Sequence, residues 1–320
     1  MPIQRIIYGA PPSDTPAGGV KVIYQHSEYL NSIGVDSAIW HPNDENFQCT
    51  WFNNQIKKVK LEDLSADTDL IVLPEIWASS HVSLFKKAGF KVAIYVQNCY
   101  LTHVNLNPEN SNAIQDAYET ADLVLSISQD TTEYLKKLLQ VPEEKIILQR
   151  YSINHDLFKT GDKQKIITYM PRKMADHSAR VVSVLNALLT TTDWKIVSIH
   201  NMHEAEVAQA LSQSIIFLAF SEFEGLPVPP VEAALCGNYV IGYDGQGGKE
   251  YWKQPNFERI EQGNIQAFVQ AVLARVTAIQ EGDIHLPALN EGMQALAQHF
   301  SKEEEASLIH RFIERVKALA

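Results

Sequence analysis

The chain has 320 residues, enough for two domains with separate cores, and its 45% apolar and 20% charged content is that of an ordinary globular protein. A formal net charge of −11 argues against a nucleic-acid binder, which needs a basic footprint, but leaves room for a local basic pocket that takes a phosphate. No apolar run approaches the roughly 20 residues of a membrane-spanning helix, and three scattered cysteines (Cys49, Cys99, Cys236) suit neither a disulfide framework nor a zinc site, which predicts a reducing, cytoplasmic setting.

Short apolar runs alternate with helical patterns over nearly the whole length. Arg5-Ile6-Ile7-Tyr8 reads as a first strand, since no long apolar leader follows Met1. A Pro-rich turn ending in Pro16-Ala17-Gly18-Gly19 then precedes a helix over 18–33. Gly18 and Gly19 let a backbone approach a phosphate with helix N–H groups behind it, or they form a plain strand-to-helix turn. The spacing is not the G-x-G-x-x-G dinucleotide fingerprint. Further strands are expected at 37–40, 70–73, 91–96, 123–127 and 145–149, with helices at 78–88, 111–120 and 131–139. Asp67-Thr68-Asp69 precedes its strand and reads as a solvated loop on the wrong edge of the sheet for a metal. Gln97-Asn98 closes the fourth strand.

The series restarts after the polar stretch 154–165, where a linker is expected. Strands at 165–169, 195–199, 215–220 and 239–242 alternate with helices at 178–189, 203–211, 228–236 and 264–280, and an amphipathic helix over 301–320 closes the chain. Many strands are continuous apolar runs, so both faces are covered and the sheets are parallel with right-handed crossovers.

Three strand exits in this half carry chemistry. Met170-Pro171-Arg172-Lys173 follows the first strand, and cations at the carboxyl end of a parallel strand point into the ligand crevice, unless the pair is a solvated loop. Arg172 can fork onto a diphosphate, and Lys173 adds a point charge. Glu224-Gly225-Leu226-Pro227 follows the third strand, with Glu232 eight positions after Glu224 on the helix beyond. Paired carboxylates there can accept sugar and ribose hydroxyls; taken alone, Glu232 would be an ordinary helix acid and Glu224 a charge placed well for the helix dipole. Asp244-Gly245-Gln246-Gly247-Gly248-Lys249-Glu250 either borders the same crevice or is a flexible loop. His200 and His203 lack an evident third ligand and read as structural, so no metal is expected.

Together these residues resemble the retaining glycosyltransferases of the GT-B fold, in particular the large family 4. Glu224-Gly225 through Glu232-Ala233 is similar to that family's E-x7-E signature. Ala121-Asp122-Leu123-Val124-Leu125-Ser126-Ile127-Ser128 resembles its strand with a trailing serine, and Tyr151-Ser152-Ile153-Asn154-His155-Asp156-Leu157-Phe158 the segment entering its second domain. The resemblance implies an α/β fold of two Rossmann-like parallel-sheet domains facing a cleft. An acceptor-side domain over 1–158, with the helix 301–320 packing back on it, would precede a nucleotide-sugar-binding domain over 159–300.

It further implies sugar transfer from a nucleotide-sugar donor to a glycan or lipid-linked acceptor, in cell-surface polysaccharide or glycoconjugate synthesis, with no cofactor or required metal. Peripheral attachment at the inner face of the cell membrane is left open. Glu232 would bind the ribose and Glu224 the donor sugar; the Gly225-Leu226 backbone would help hold the donor, Arg172 and Lys173 would neutralise the leaving diphosphate, and Gly18-Gly19 would approach the phosphate or acceptor. Gln97, Asn98, His177, Gly247 and Gly248 would line the cleft. Two departures stand out: His177 occupies the place of a family lysine, and Gln97-Asn98 stand near that of a family histidine. The alternatives are a nucleotide-sugar epimerase on the same scaffold and an inactive sugar-nucleotide or glycan-binding relative. A nicotinamide dehydrogenase is the weakest rival, because its glycine fingerprint is absent.

Overall fold

The computed structural model describes residues 2–42, 44, 46–104, 112–282 and 286–319. It divides into two compact units: Met1–Tyr151 with Glu305–Ala320, and Ser152–Glu304.

The first unit is built on six parallel strands, β1 (Arg5–Gly9), β2 (Asp36–Trp40), β3 (Asp69–Pro74), β4 (Lys91–Val96), β5 (Leu123–Ser126) and β6 (Ile146–Leu148), in the order β2-β1-β3-β4-β5-β6. Helices α1 (Gly18–Ser32), α2 (Ser83–Lys87), α3 (Ala113–Thr120) and α4 (Gln129–Leu138) supply the crossovers. Every residue of β3 and β5 is buried, as covering a sheet on both faces requires. Ile7, Ile71, Ile94 and Val124 pack in one cluster with Val82, Phe85, Tyr118 and Leu135. Burying each such side chain is worth about 1.5–3 kcal/mol. Ser128, the trailing serine of the fifth strand, caps α4 by accepting from Thr131 N–H.

Two expectations fail here for local reasons. Asp69 is not solvated. It is fully buried at the amino end of β3, where Arg5 forks onto it with bonds of 2.8 and 2.6 Å and the Ser65 N–H donates at 2.8 Å. That fork ties the amino ends of β1 and β3, and only Asp67 is exposed. The helix expected over 78–88 is α-helical only at Ser83–Lys87. A tight turn at Glu75–Trp77 and a widened one at Ala78–Val82 precede it, where Trp77 and His81 both lie against Trp40, at 6.3 and 6.1 Å between ring centroids.

The second unit holds five parallel strands, β7 (Ile166–Tyr169), β8 (Lys195–Ser198), β9 (Ile216–Glu224), β10 (Tyr239–Gln246) and β11 (Phe257–Arg259), in the order β11-β10-β9-β7-β8. Its helices are α5 (Ala175–Leu188), α6 (Glu204–Gln213), α7 (Pro229–Leu235), α8 (Ile265–Gln280) and α9 (Leu286–His299). The last helix, α10 (Lys302–Lys317), belongs to the first unit from Glu305 onward. Its buried stripe is Leu308, Ile309, Phe312, Ile313 and Val316, and its Arg315 donates to the Glu144 carbonyl. Ile167, Leu218, Phe220, Ile241 and Tyr243 of the second sheet form a cluster with Val181, Leu185, Phe268 and Val272.

Two elements escape the sequence pattern. β11 is three residues long, and α9 carries Pro287 and Gly292. β10 also runs further than expected: Asp244-Gly245-Gln246 continues the strand, with a register shift between Asp244 and Gln246, instead of forming a flexible loop.

In each sheet the strand order reverses once, between β1 and β3 in the first and between β7 and β9 in the second. Open parallel sheets bind ligands outside the carboxyl ends of the strands at that reversal. Among the described residues, no helix is long and apolar enough to cross a membrane.

Candidate functional site

In the second unit the reversal brings two exits side by side. β7 and β9 are hydrogen-bonded neighbours with Tyr169 opposite Leu218. β7 therefore releases Met170 to Lys173 next to the last residues of β9. Lys173 Nζ stands 2.9 Å from Glu224 Oε2, with side-chain exposures of 39% and 21%. A pair this open to water contributes little to stability, so its importance lies in position. Met170, Lys173, Phe220, Ser221, Glu224 and Pro229 line a small open hollow at this edge.

The strand absorbs Ser221 to Glu224, so Glu224 is the last strand residue and not part of the turn. Gly225, Leu226 and Pro227 are buried. α7 then starts at Pro229-Pro230, the place where a missing N–H and a fixed φ cost least. Glu232 lies in its first turn, favourably placed for the helix dipole. α5 has no side-chain cap, which leaves its first N–H groups available to an anion, whereas α7 opens with two prolines and its next N–H groups, of Val231 and Glu232, both donate to the Val228 carbonyl. Met174, which leads into α5, has φ +44°, and Gln246 at the end of β10 has φ +71°. Two non-glycine residues in this region at one sheet edge mark backbone held by its surroundings.

The exit of β10 moulds the exit of β9. Gln246 pairs with Glu224, and Gly247 lies directly against the next peptide. A Cβ on Gly247 would stand 2.6 Å from the Glu224 carbonyl oxygen and closer still to that of Gly225. Only glycine fits there. Gly247 and Gly248 are buried and begin a short helical turn, so they shape the site from below and do not form a mobile rim.

The remaining residues of this half are less gathered. Arg172 is exposed, and among the described residues no ion pair holds it. His177 turns away to Tyr243, with 3.3 Å between Nδ1 and the phenol oxygen and the rings edge-on at 5.7 Å. His200 and His203 are exposed beyond β8, and the His203 N–H is held by Glu206 at the start of α6.

The first unit presents its own group at the β1/β3 reversal. α1 begins at Gly18 without a side-chain cap. Gln97 donates through Nε2 to the Gly19 carbonyl at 3.1 Å, and a Cβ on Gly19 would overlap Gln97 Oε1. Gly18 has no neighbour near its missing Cβ. The backbone N–H groups of Gln97 and Asn98 both donate to Glu75, at 3.2 and 3.0 Å. Glu75 is only 4% exposed, and burial pushes its carboxyl up to about 7 against the pull of those N–H groups. Sequence reasoning passes over Glu75; its signal is an acid directly after the apolar run Leu70-Ile71-Val72-Leu73-Pro74, at a strand exit.

No protein-family model matches the chain. Over 301 residues it is 22% identical to the alpha-1,6-glucosyltransferase of Actinobacillus pleuropneumoniae serotype 7 (strain AP76), a span of 88% of this chain and 86% of that protein. Among solved structures, the sucrose-phosphate synthase of Thermosynechococcus elongatus matches with a TM-score of 0.72 at 14% identity, over 99% of this chain and 100% of that one. Anabaena HepE in complex with UDP-glucose matches with a TM-score of 0.70 at 13% identity, over 97% and 99%. The chain therefore has the fold of these structures: two parallel sheets flanked by helices, of the GT-B glycosyltransferase type.

Proposed function

We propose that the chain is a retaining glycosyltransferase resembling family 4, which moves a sugar from a nucleotide-sugar donor to an acceptor hydroxyl in polysaccharide or glycoconjugate synthesis. One observation carries the reading: Lys173 and Glu224 meet at 2.9 Å across the β7/β9 reversal, one turn of chain before Glu232. The glucosyltransferase relative and the UDP-glucose complex of HepE support a uridine nucleotide sugar as the donor.

In this reading Glu232 accepts from the ribose hydroxyls and Glu224 from the donor sugar, while the Gly225-Leu226 backbone and the uncapped N–H groups of α5 face the diphosphate. As the bond from the anomeric carbon to phosphate oxygen breaks, negative charge builds on the diphosphate and positive character on the sugar. Arg172 and Lys173 stabilise the first, and Glu224 orients the second. The acceptor oxygen attacks from the face that the diphosphate leaves, and its proton passes to the departing phosphate oxygen.

Calorimetry with UDP and product analysis with UDP-glucose test this. Glu232→Ala is expected to weaken UDP binding by 10- to 100-fold, the value of a hydrogen bond to a charged group. Arg172→Ala is expected to slow transfer by about 100-fold while UDP binding holds. Wild-type binding and turnover in both variants would contradict these roles. Binding without turnover across a broad acceptor panel would leave a nucleotide-sugar-binding protein.

A further inference from the structure

Tyr251 is 5% exposed, and its phenol donates to the Pro227 carbonyl at 2.6 Å, a contact between residues 24 apart in sequence. Pro227 closes the turn Gly225-Leu226-Pro227 that begins at Glu224. Gly248 lies under the phenol: a Cβ there would stand 3.1 Å from the Tyr251 oxygen and 3.5 Å from Pro227 Cγ. The Tyr251 ring is fixed in turn by Phe257 and Phe300, at 5.4 and 5.8 Å between centroids. The turn is therefore held at both ends, by β10 pairing at Glu224 and by a buried phenol at Pro227.

We propose that Tyr251 is a positioning residue for the donor sugar, acting through the Pro227 carbonyl on the turn that directly follows Glu224 at the end of β9. The proposal rests on the reading of Glu224 as the sugar ligand. Glu232 sits beyond this turn on α7, whose Val231, Ala233 and Ala234 are buried in the core, so the nucleotide contact is anchored independently. Loosening the turn should cost the sugar contact and spare the nucleotide contact. A residue that merely holds the fold together would weaken both alike.

The test measures dissociation constants of UDP-glucose and UDP for the full chain and its Tyr251→Phe variant, together with urea unfolding. Phenylalanine keeps the ring packing and removes the hydrogen bond to Pro227. The expected result is about tenfold weaker UDP-glucose binding, the loss that one neutral hydrogen bond supports, with UDP binding within about twofold of wild type. Gly248→Ala crowds the same phenol and is the second variant, with the same selective loss expected. Equal changes for both ligands, or no change for either, overturn the role of Tyr251 while leaving the transferase reading in place. A wild-type chain that binds neither ligand overturns that reading and this proposal with it.

Discussion

Gly247→Ala puts the moulding of the site to a direct test. The added methyl would stand 2.6 Å from the Glu224 carbonyl oxygen and closer to that of Gly225. Carbon and carbonyl oxygen do not approach below about 3.3 Å, so relieving the closer contact, to Gly225, requires the exits of β9 and β10 to part by more than about 1 Å. Both partners are backbone, and no flexible side chain can yield instead. Overpacking of this kind costs about 1–3 kcal/mol of stability. The larger effect falls on function, because Glu224 ends the displaced segment and Lys173 is its partner at 2.9 Å. A misplacement of about 1 Å at a positioned group can cost about 100-fold. Urea unfolding and UDP-glucose calorimetry are the assays, and donor affinity is expected to fall by at least tenfold. Gly18→Ala is the contrast: nothing lies within 4 Å of its missing Cβ, so stability should hold within about 0.5 kcal/mol. A Gly247→Ala chain with wild-type stability and donor affinity would refute the moulding argument.

Glu75 makes stability depend on pH in a stated direction. Its folded carboxyl is raised from an ordinary 4.5 to about 7, so in that window the folded chain binds more protons than the unfolded one and stability falls as pH rises; the window is worth about 3 kcal/mol. Glu75→Gln lacks the titrating group, so its stability relative to wild type should improve by about that amount between pH 4.5 and 8, and a difference independent of pH would contradict the burial argument. Lys163 Nζ donates to the Ser214 and Cys236 carbonyls at 2.6 and 2.5 Å, joining the carboxyl ends of α6 and α7. Lys163→Met removes the cation from both helix ends and is expected to cost about 3 kcal/mol in urea unfolding; a loss below about 0.5 kcal/mol would show that the clamp is idle.

Much of the fold is legible because its signals are local. Strands β4 and β7 fall within a residue of their apolar runs, and α1 and α8 within a residue of their periodic patterns. The segments that escape carry weak or opposed local signals. β11 is Phe257-Glu258-Arg259, with no apolar run, and α9 contains a proline and a glycine. Asp69 sits two positions from the exposed Asp67 in sequence, and it is the distant Arg5 that forks onto Asp69.

The sequence by itself determined the α/β class, the parallel sheets and the strand-turn-helix that links Glu224 to Glu232, because each follows from apolar periodicity and turn residues within about twenty positions. The tertiary structure decided the strand order, and with it which exits become neighbours. It set Lys173 beside Glu224, fitted Gly247 beneath Gly225, brought the Tyr251 phenol to Pro227 and turned His177 toward Tyr243. None of these pairs carries a mark in its own segment. A crossover fixes handedness but leaves open which edge of the sheet the next strand joins, and that choice is made only when the whole core packs.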